Sequence, residues 1–132
     1  MDISFKVDNE KFNYRVCAII VFNKKILAMH DERSPYYYLP GGRVKMGETA
    51  EQAIIREIKE ELNIPLKISR PLWLVQSFFK EDVNKLDYHE LCLYFLMDIS
   101  ESGILLKGDK FAVLEGKDPL TFEWLEFARL KE

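Results

Sequence analysis

The segment from Thr49 to Pro65 specifies both ends of a helix, which leaves the chain around it few ways to fold. Thr49 with Gln52 three residues on forms a capping box, so Thr49 is the expected N-cap. Ile54, Ile58 and Leu62 recur every four residues with Ile55 beside them, one apolar stripe that needs a partner surface. Asn63 tolerates the left-handed conformation that stops a helix, and Pro65 bars its continuation. The flanking runs read as strands. Tyr14 to Phe22 is β-branched and apolar, as in a strand buried on both faces. Asn23 to Lys25 is a turn, and Ile26 to His30 returns as a second strand. Beyond the helix, residues 66–80 and 90–99 read as long strands with a mobile polar loop at 81–89 between them. Residues 122–127 read as a last strand or bend leading into a short terminal helix. This order predicts an α/β fold, a mixed β-sheet sandwiched between helices. With 132 residues, one domain spanning 1–132 is expected.

Charge narrows the function classes. The net charge of −3 and a pI near 5.5 argue against wrapping nucleic acid by broad electrostatics, so no stable nucleic-acid complex is expected. A nucleotide held through a metal stays open. The N-terminal residues are too polar for a signal peptide, and no apolar run approaches membrane-spanning length. Cys17 and Cys92 sit singly in apolar runs without metal or redox spacing, as expected of two buried, reduced thiols in a cytoplasmic protein.

The helix carries a burden that local stability does not explain. Glu57, Glu60 and Glu61 crowd its C-terminal half, where like charges repel by roughly 0.2–0.5 kcal/mol per pair and oppose the helix dipole. At about 100° per residue, the three glutamates form a ridge bordering the apolar stripe rather than opposite it. Convergent carboxylates there call for a cation, and hard divalent ions such as Mg²⁺ take oxygen ligands. The alternative is an ordinary acidic surface helix in which Arg56 pairs with Glu60 at i,i+4. The preceding loop, LPGGRVKMGE, favours a site. Gly41 and Gly42 permit close backbone approach to a ligand, and Glu48 stands just before the N-cap.

Taken together the residues run Gly42, five others, Glu48, seven others, then Arg56-Glu57-Ile58-x-Glu60-Glu61-x-Asn63-Ile64. This resembles the Nudix box of the Nudix hydrolases. The departure is Asn63, where the family pattern has glycine, and asparagine keeps the left-handed stop available. The LPGG lead-in after Tyr37 and Tyr38 and the late FEWLEF stretch also look like the family's flanks.

The resemblance implies the Nudix fold and Mg²⁺-dependent (or Mn²⁺-dependent) attack of water on the diphosphate of a nucleoside diphosphate linked to another group. It implies Glu57 and Glu61 as metal ligands, Glu60 as a third, and the Gly42 carbonyl completing the set. Arg56 orients a helix glutamate and Glu48 pairs with Arg56. The general base is either Glu57 or a carboxylate outside the box, for which Glu81, Asp82, Asp87, Glu90 and Glu115 are the candidates. Arg15, Tyr37 and Glu90 are candidate substrate contacts, His89 a base or contact, and Tyr36, Tyr38, Phe79 and Tyr88 further rings able to stack on a base. A nucleotide-sized small molecule is the expected partner. The substrate stays open between a nucleoside triphosphate or small nucleoside diphosphate derivative, a nucleotide sugar such as ADP-ribose, and a dinucleoside polyphosphate. A non-catalytic nucleotide sensor or cation-binding module on the same fold is the competing function. The short chain after FEWLEF suggests a thin face covered by a second copy, a homodimer.

Overall fold

The computed structural model describes residues 1–30, 36–115 and 118–128, with the backbone alone for 114, 115 and 118. Two sheets enclose one helix. The first is mixed and five-stranded: β1 (Ser4–Val7), β2 (Glu10–Ile19), β5 (Gly41–Arg43), β6 (Lys67–Lys80) and β7 (Asp87–Asp98). Its central pair, β2 and β7, is parallel; β6 closes one side, while β1 and β5 share the other. The second sheet is antiparallel, in the order β3 (Val21–Phe22), β4 (Lys25–His30), β9 (Asp118–Glu126), β8 (Lys110–Glu115).

The Tyr14–Phe22 run is apolar throughout because it serves both sheets. β2 starts earlier than expected, at Glu10, and ends at Ile19. Ile20 accepts a hydrogen bond from Leu27 N–H at 2.9 Å, and the chain re-pairs as β3 in the second sheet. Asn23 and Lys24 both have positive φ, the geometry of a two-residue hairpin turn whose twist matches the strands.

Helix α1 (Ala50–Leu62) has the expected ends. Thr49 and Gln52 exchange both capping-box bonds, and Asn63 stands in the left-handed region at φ 58°. Ile54, Ile58 and Leu62 join Val16, Ala18, Phe95 and Met97 of the first sheet and Leu27, Phe122 and Trp124 of the second in one core. The chain thus has the α/β architecture with a mixed sheet under a helix. Its other layer is the second sheet: among the described residues α1 is the sole α-helix, and the expected terminal helix falls largely on 129–132, outside them.

Two expectations need correction. The segment 81–89 is a tight six-residue connection, closed by Glu81 N–H to the Leu86 carbonyl at 3.1 Å, and β7 already begins at Asp87. Cross-strand ring pairs, Phe79 on Tyr88 and Phe78 on His89, hold that end of the ladder. The second correction is the buried arc of α1. Ile55 is exposed, while Ala50, Ala53 and Glu61 are buried. Of the acidic ridge Glu61 lies inside the buried arc and Glu57 at its edge, on the side of the small alanines where the glycine strand β5 meets the helix, while Glu60 stays exposed.

Candidate active site

β5 is where helix and sheet meet most closely. It pairs antiparallel with β2, setting Gly42 opposite Val16 and Gly41 opposite Cys17. Neither glycine has room for a side chain. A Cβ on Gly41 would stand 2.1 Å from the Val16 carbonyl oxygen, at a φ of +157°, and one on Gly42 would lie 2.4–2.6 Å from the Glu57 carboxylate. The Glu57 carboxylate therefore rests against the bare Cα of Gly42.

Glu61 is 5% exposed, and its Oε1 accepts the Gly41 N–H at 2.9 Å. Arg56 organises the rest. Its Nε and Nη2 donate to the two oxygens of Glu48 at 2.7 and 2.9 Å, a two-point fork that a lysine cannot reproduce. Nη1 donates to Glu57 Oε1 at 2.8 Å, and Nη2 also reaches the Arg43 carbonyl at 3.1 Å. Glu48 accepts the Lys45 N–H as well, at 3.0 Å. The Arg56 guanidinium beside it lowers the Glu48 carboxyl to about 2, and the same pairing raises Arg56.

Glu48, Arg56, Glu57, Glu61 and Gly42 are thus brought together as the sequence suggests. Glu60 is not drawn in to the same degree: its side chain is about half exposed and lies 3.5 Å from Arg56 Nη1. Among the described residues, no group of three His, Cys, Asp or Glu side chains stands ready-gathered as a metal cage. Glu57 and Glu61 thus meet β5, with Glu60 outside them. The donor set still suits a hard cation. Two carboxylates, one buried and one packed on a glycine, flank a strand two of whose three residues carry no side chain.

The substrate candidates lie elsewhere. Alternation along β2 turns Val16 and Ala18 toward the helix and Asn13, Arg15 and Cys17 to the opposite face. By register that face also carries Glu90, Cys92 and Tyr94. Arg15 and Glu90 are therefore neighbours on the face away from α1, and Glu90 accepts from the buried Asn13 amide at 3.5 Å. Beside them the Cys92 thiol donates to Cys17 Sγ at 3.2 Å, so the two free thiols touch. This contact lowers Cys17, and contact and burial together raise Cys92.

Tyr37 is anchored to the second sheet: its hydroxyl donates to Glu123 at 2.7 Å and its ring meets His30 edge-on. Tyr38 bridges to Met29, and Tyr36 is exposed. Glu81, Asp82 and Asp87 stand at the β6–β7 turn; Asp87 lies six residues along β7 from the Leu93 level, about 20 Å away. His89 lies between Phe12, which it meets edge-on, and the tilted ring of Phe78. The side chain of Glu115 lies outside the described residues.

A family model described as the NUDIX domain matches residues 11–132. The chain belongs to the NUDIX family. Over 97 residues it is 34% identical to an ADP-ribose pyrophosphatase of Methanocaldococcus jannaschii, a match covering 71% of this chain and 54% of that protein. The NUDIX chain thus spans about half the length of that relative. It is 60% identical over 25 residues, 19% of each chain, to the 8-oxo-dGTP diphosphatase of Escherichia coli. Among solved structures, a MutT NUDIX hydrolase from Burkholderia pseudomallei superposes with a TM-score of 0.63 at 27% identity, over 86% of this chain and 82% of that one.

Proposed function

We propose that this NUDIX chain is a divalent-cation-dependent pyrophosphohydrolase that cleaves the diphosphate of a nucleotide-derived small molecule by attack of water at phosphorus. One observation carries the reading: the Arg56 fork fixes Glu48 with two donors and Glu57 with a third, and presses the Glu57 carboxylate against Gly42. A side chain held this way costs no reorganisation when it acts.

Glu57, Glu61 and the Gly42 carbonyl would hold Mg²⁺ or Mn²⁺, with Glu60 at the margin. When bound, the ion neutralises the diphosphate and acidifies a water. The chain itself does the positioning. Arg56 holds Glu57 in place, and Glu57 is the residue we assign to accept the proton of the attacking water. Asp87, Glu81 and Asp82 are too far along the sheet for that role, and Glu90 is on its other face. Arg15 and Glu90 would read a part of the substrate that passes over the short β5 edge onto the far face.

The substrate is a nucleoside triphosphate or a small nucleoside diphosphate derivative. ADP-ribose and 8-oxo-dGTP head the panel, since relatives carry those names. The free thiols and acidic composition support a cytoplasmic setting. The test is phosphate or nucleotide release from such a panel with Mg²⁺. Glu57→Gln and Glu61→Gln are each expected to abolish turnover while thermal unfolding stays cooperative; full activity in both overturns the assignment.

A further inference from the structure

β6 is a long strand with no partner on its outer side among the described residues. The outward row of N–H and C=O groups on such an edge is a template for another strand, and proteins usually blunt it with charge, proline or brevity. β6 has Pro71 and register shifts in its first half only; Leu74 to Lys80 run in unbroken register with β7. Here the edge exposes apolar side chains on both faces: Trp73 by 53%, Leu74 by 56%, Phe78 by 70% and Phe79 by 44%.

These four residues are arranged symmetrically about Gln76. We propose that a second copy of this chain pairs antiparallel with β6 at this edge, with the twofold axis passing between the two Gln76 residues. In that register Leu74 faces Phe78 and Trp73 faces Phe79. Opposed residues of an antiparallel pair share a face. Leu74 and Phe78 do, being paired with Leu93 and His89 of β7. So do Trp73 and Phe79, which meet the rings of Tyr94 and Tyr88 on the other face at 5.9 and 5.0 Å.

Neighbouring registers fail. An axis at Val75 sets Lys80 against Arg70 and wastes both phenylalanines on Leu72 and Pro71. An axis at Ser77 sets Leu74 against Lys80 and Trp73 against Glu81. The Gln76 register also continues a row of rings already crossing the sheet. Phe5, Phe12, His89 and Phe78 follow one another at 5.2, 5.5 and 4.4 Å up to this edge, and Leu74 of the second copy extends it. The two five-stranded sheets become one continuous sheet.

Sedimentation and light scattering of the full chain at roughly 1–100 µM should show twice the chain mass. Phe78→Asp should raise the dimer dissociation constant by at least about tenfold, as expected for a charge at a paired edge. The unfolding of that variant as a single chain should stay cooperative, since exposed Phe78 gives up only its ring contact with His89. Under mild oxidation Gln76→Cys should cross-link to itself, whereas Ser77→Cys, opposite Val75 of the second copy, and the native chain should not. A monomer throughout that range overturns the proposal. So does a dimer that Phe78→Asp leaves intact, or one in which Ser77→Cys cross-links more readily than Gln76→Cys.

Discussion

At one margin of the five-stranded sheet β5 contributes three residues, two of them glycine, and a helix presses its carboxylates against them. At the other margin β6 runs for 14 residues with apolar side chains open on both faces. The first edge is short and crowded, and its groups are committed to named partners within the chain. The second is long and bare, with a self-complementary pattern. The same backbone chemistry, a strand with one unpaired side, has been resolved in one place by the chain itself and in the other by leaving room for a second strand. Substitutions at the β5 edge should therefore damage the monomer, while those at the β6 edge should alter chiefly association.

Gly41→Ala is the strongest way to break this contrast. Its Cβ would meet backbone, the Val16 carbonyl, which cannot rotate away. The cost should reach or exceed the upper end of the roughly 1–3 kcal/mol typical of overpacking. Gly42→Ala meets the movable Glu57 carboxylate instead. It should cost less stability but displace the residue on which hydrolysis is proposed to depend. Chemical denaturation and turnover, measured on both, separate the two effects. A Gly41→Ala protein as stable as the parent would mean that β5 is not held as tightly as described.

Arg56→Ala comes next. It strands two partly buried carboxylates, Glu48 and Glu57, and should cost about 2–3 kcal/mol, below the 3–5 kcal/mol of a fully buried pair because solvent reaches the cluster. Arg56→Lys keeps the charge but loses the fork, so it should recover part of the stability and little of the activity. Equal activity in Arg56→Lys and the parent would show that charge, not orientation, is what Arg56 supplies.

Much of this edge was legible in the sequence, for physical reasons. Capping residues, the helix stop and the glycine pair act within a few positions of themselves, so Thr49, Gln52, Asn63, Gly41 and Gly42 declare their roles locally. What depended on distant pairing did not. The break at Ile20 was invisible because one apolar run serves two sheets. The burial of Glu61 was hidden because Ala50 and Ala53, weak as hydrophobic signals, widen the buried arc. Cys17 and Cys92 are 75 residues apart, and only the register of two parallel strands brings their sulfurs together. The β6 edge announced a long strand, but its unpaired side became apparent only with the strand order.

Acid offers a milder probe. The Glu48 carboxyl lies at about 2 in the folded chain, held down chiefly by Arg56, against an ordinary value near 4.5. A depressed carboxylate stabilises the fold above its unfolded value, and that contribution is lost as pH falls from about 4.5 toward 2. Stability of the parent should therefore decline across this window, and Glu48→Gln should flatten the decline while being less stable at neutral pH. An unaltered acid limb in Glu48→Gln would place the titrating group elsewhere.

The smallest expected effect is at Asn63, where this chain departs from the family pattern. Its backbone sits at φ 58° and its N–H donates to the Lys59 carbonyl at 2.9 Å, closing the helix one residue after Leu62. Glycine takes this conformation without penalty and asparagine nearly so, whereas alanine pays for its Cβ, by about 1 kcal/mol. Asn63→Gly should then leave thermal unfolding within about 0.5 kcal/mol of the parent, and Asn63→Ala should lower stability by about 1 kcal/mol. Neither should change turnover, since the αL residue ends the helix beyond Glu61 and contributes no side-chain bond to the Arg56 cluster. If Asn63→Gly instead altered activity at constant stability, the asparagine side chain would have a role at the site, and the β5 edge would extend further along the helix than its glycines and glutamates indicate.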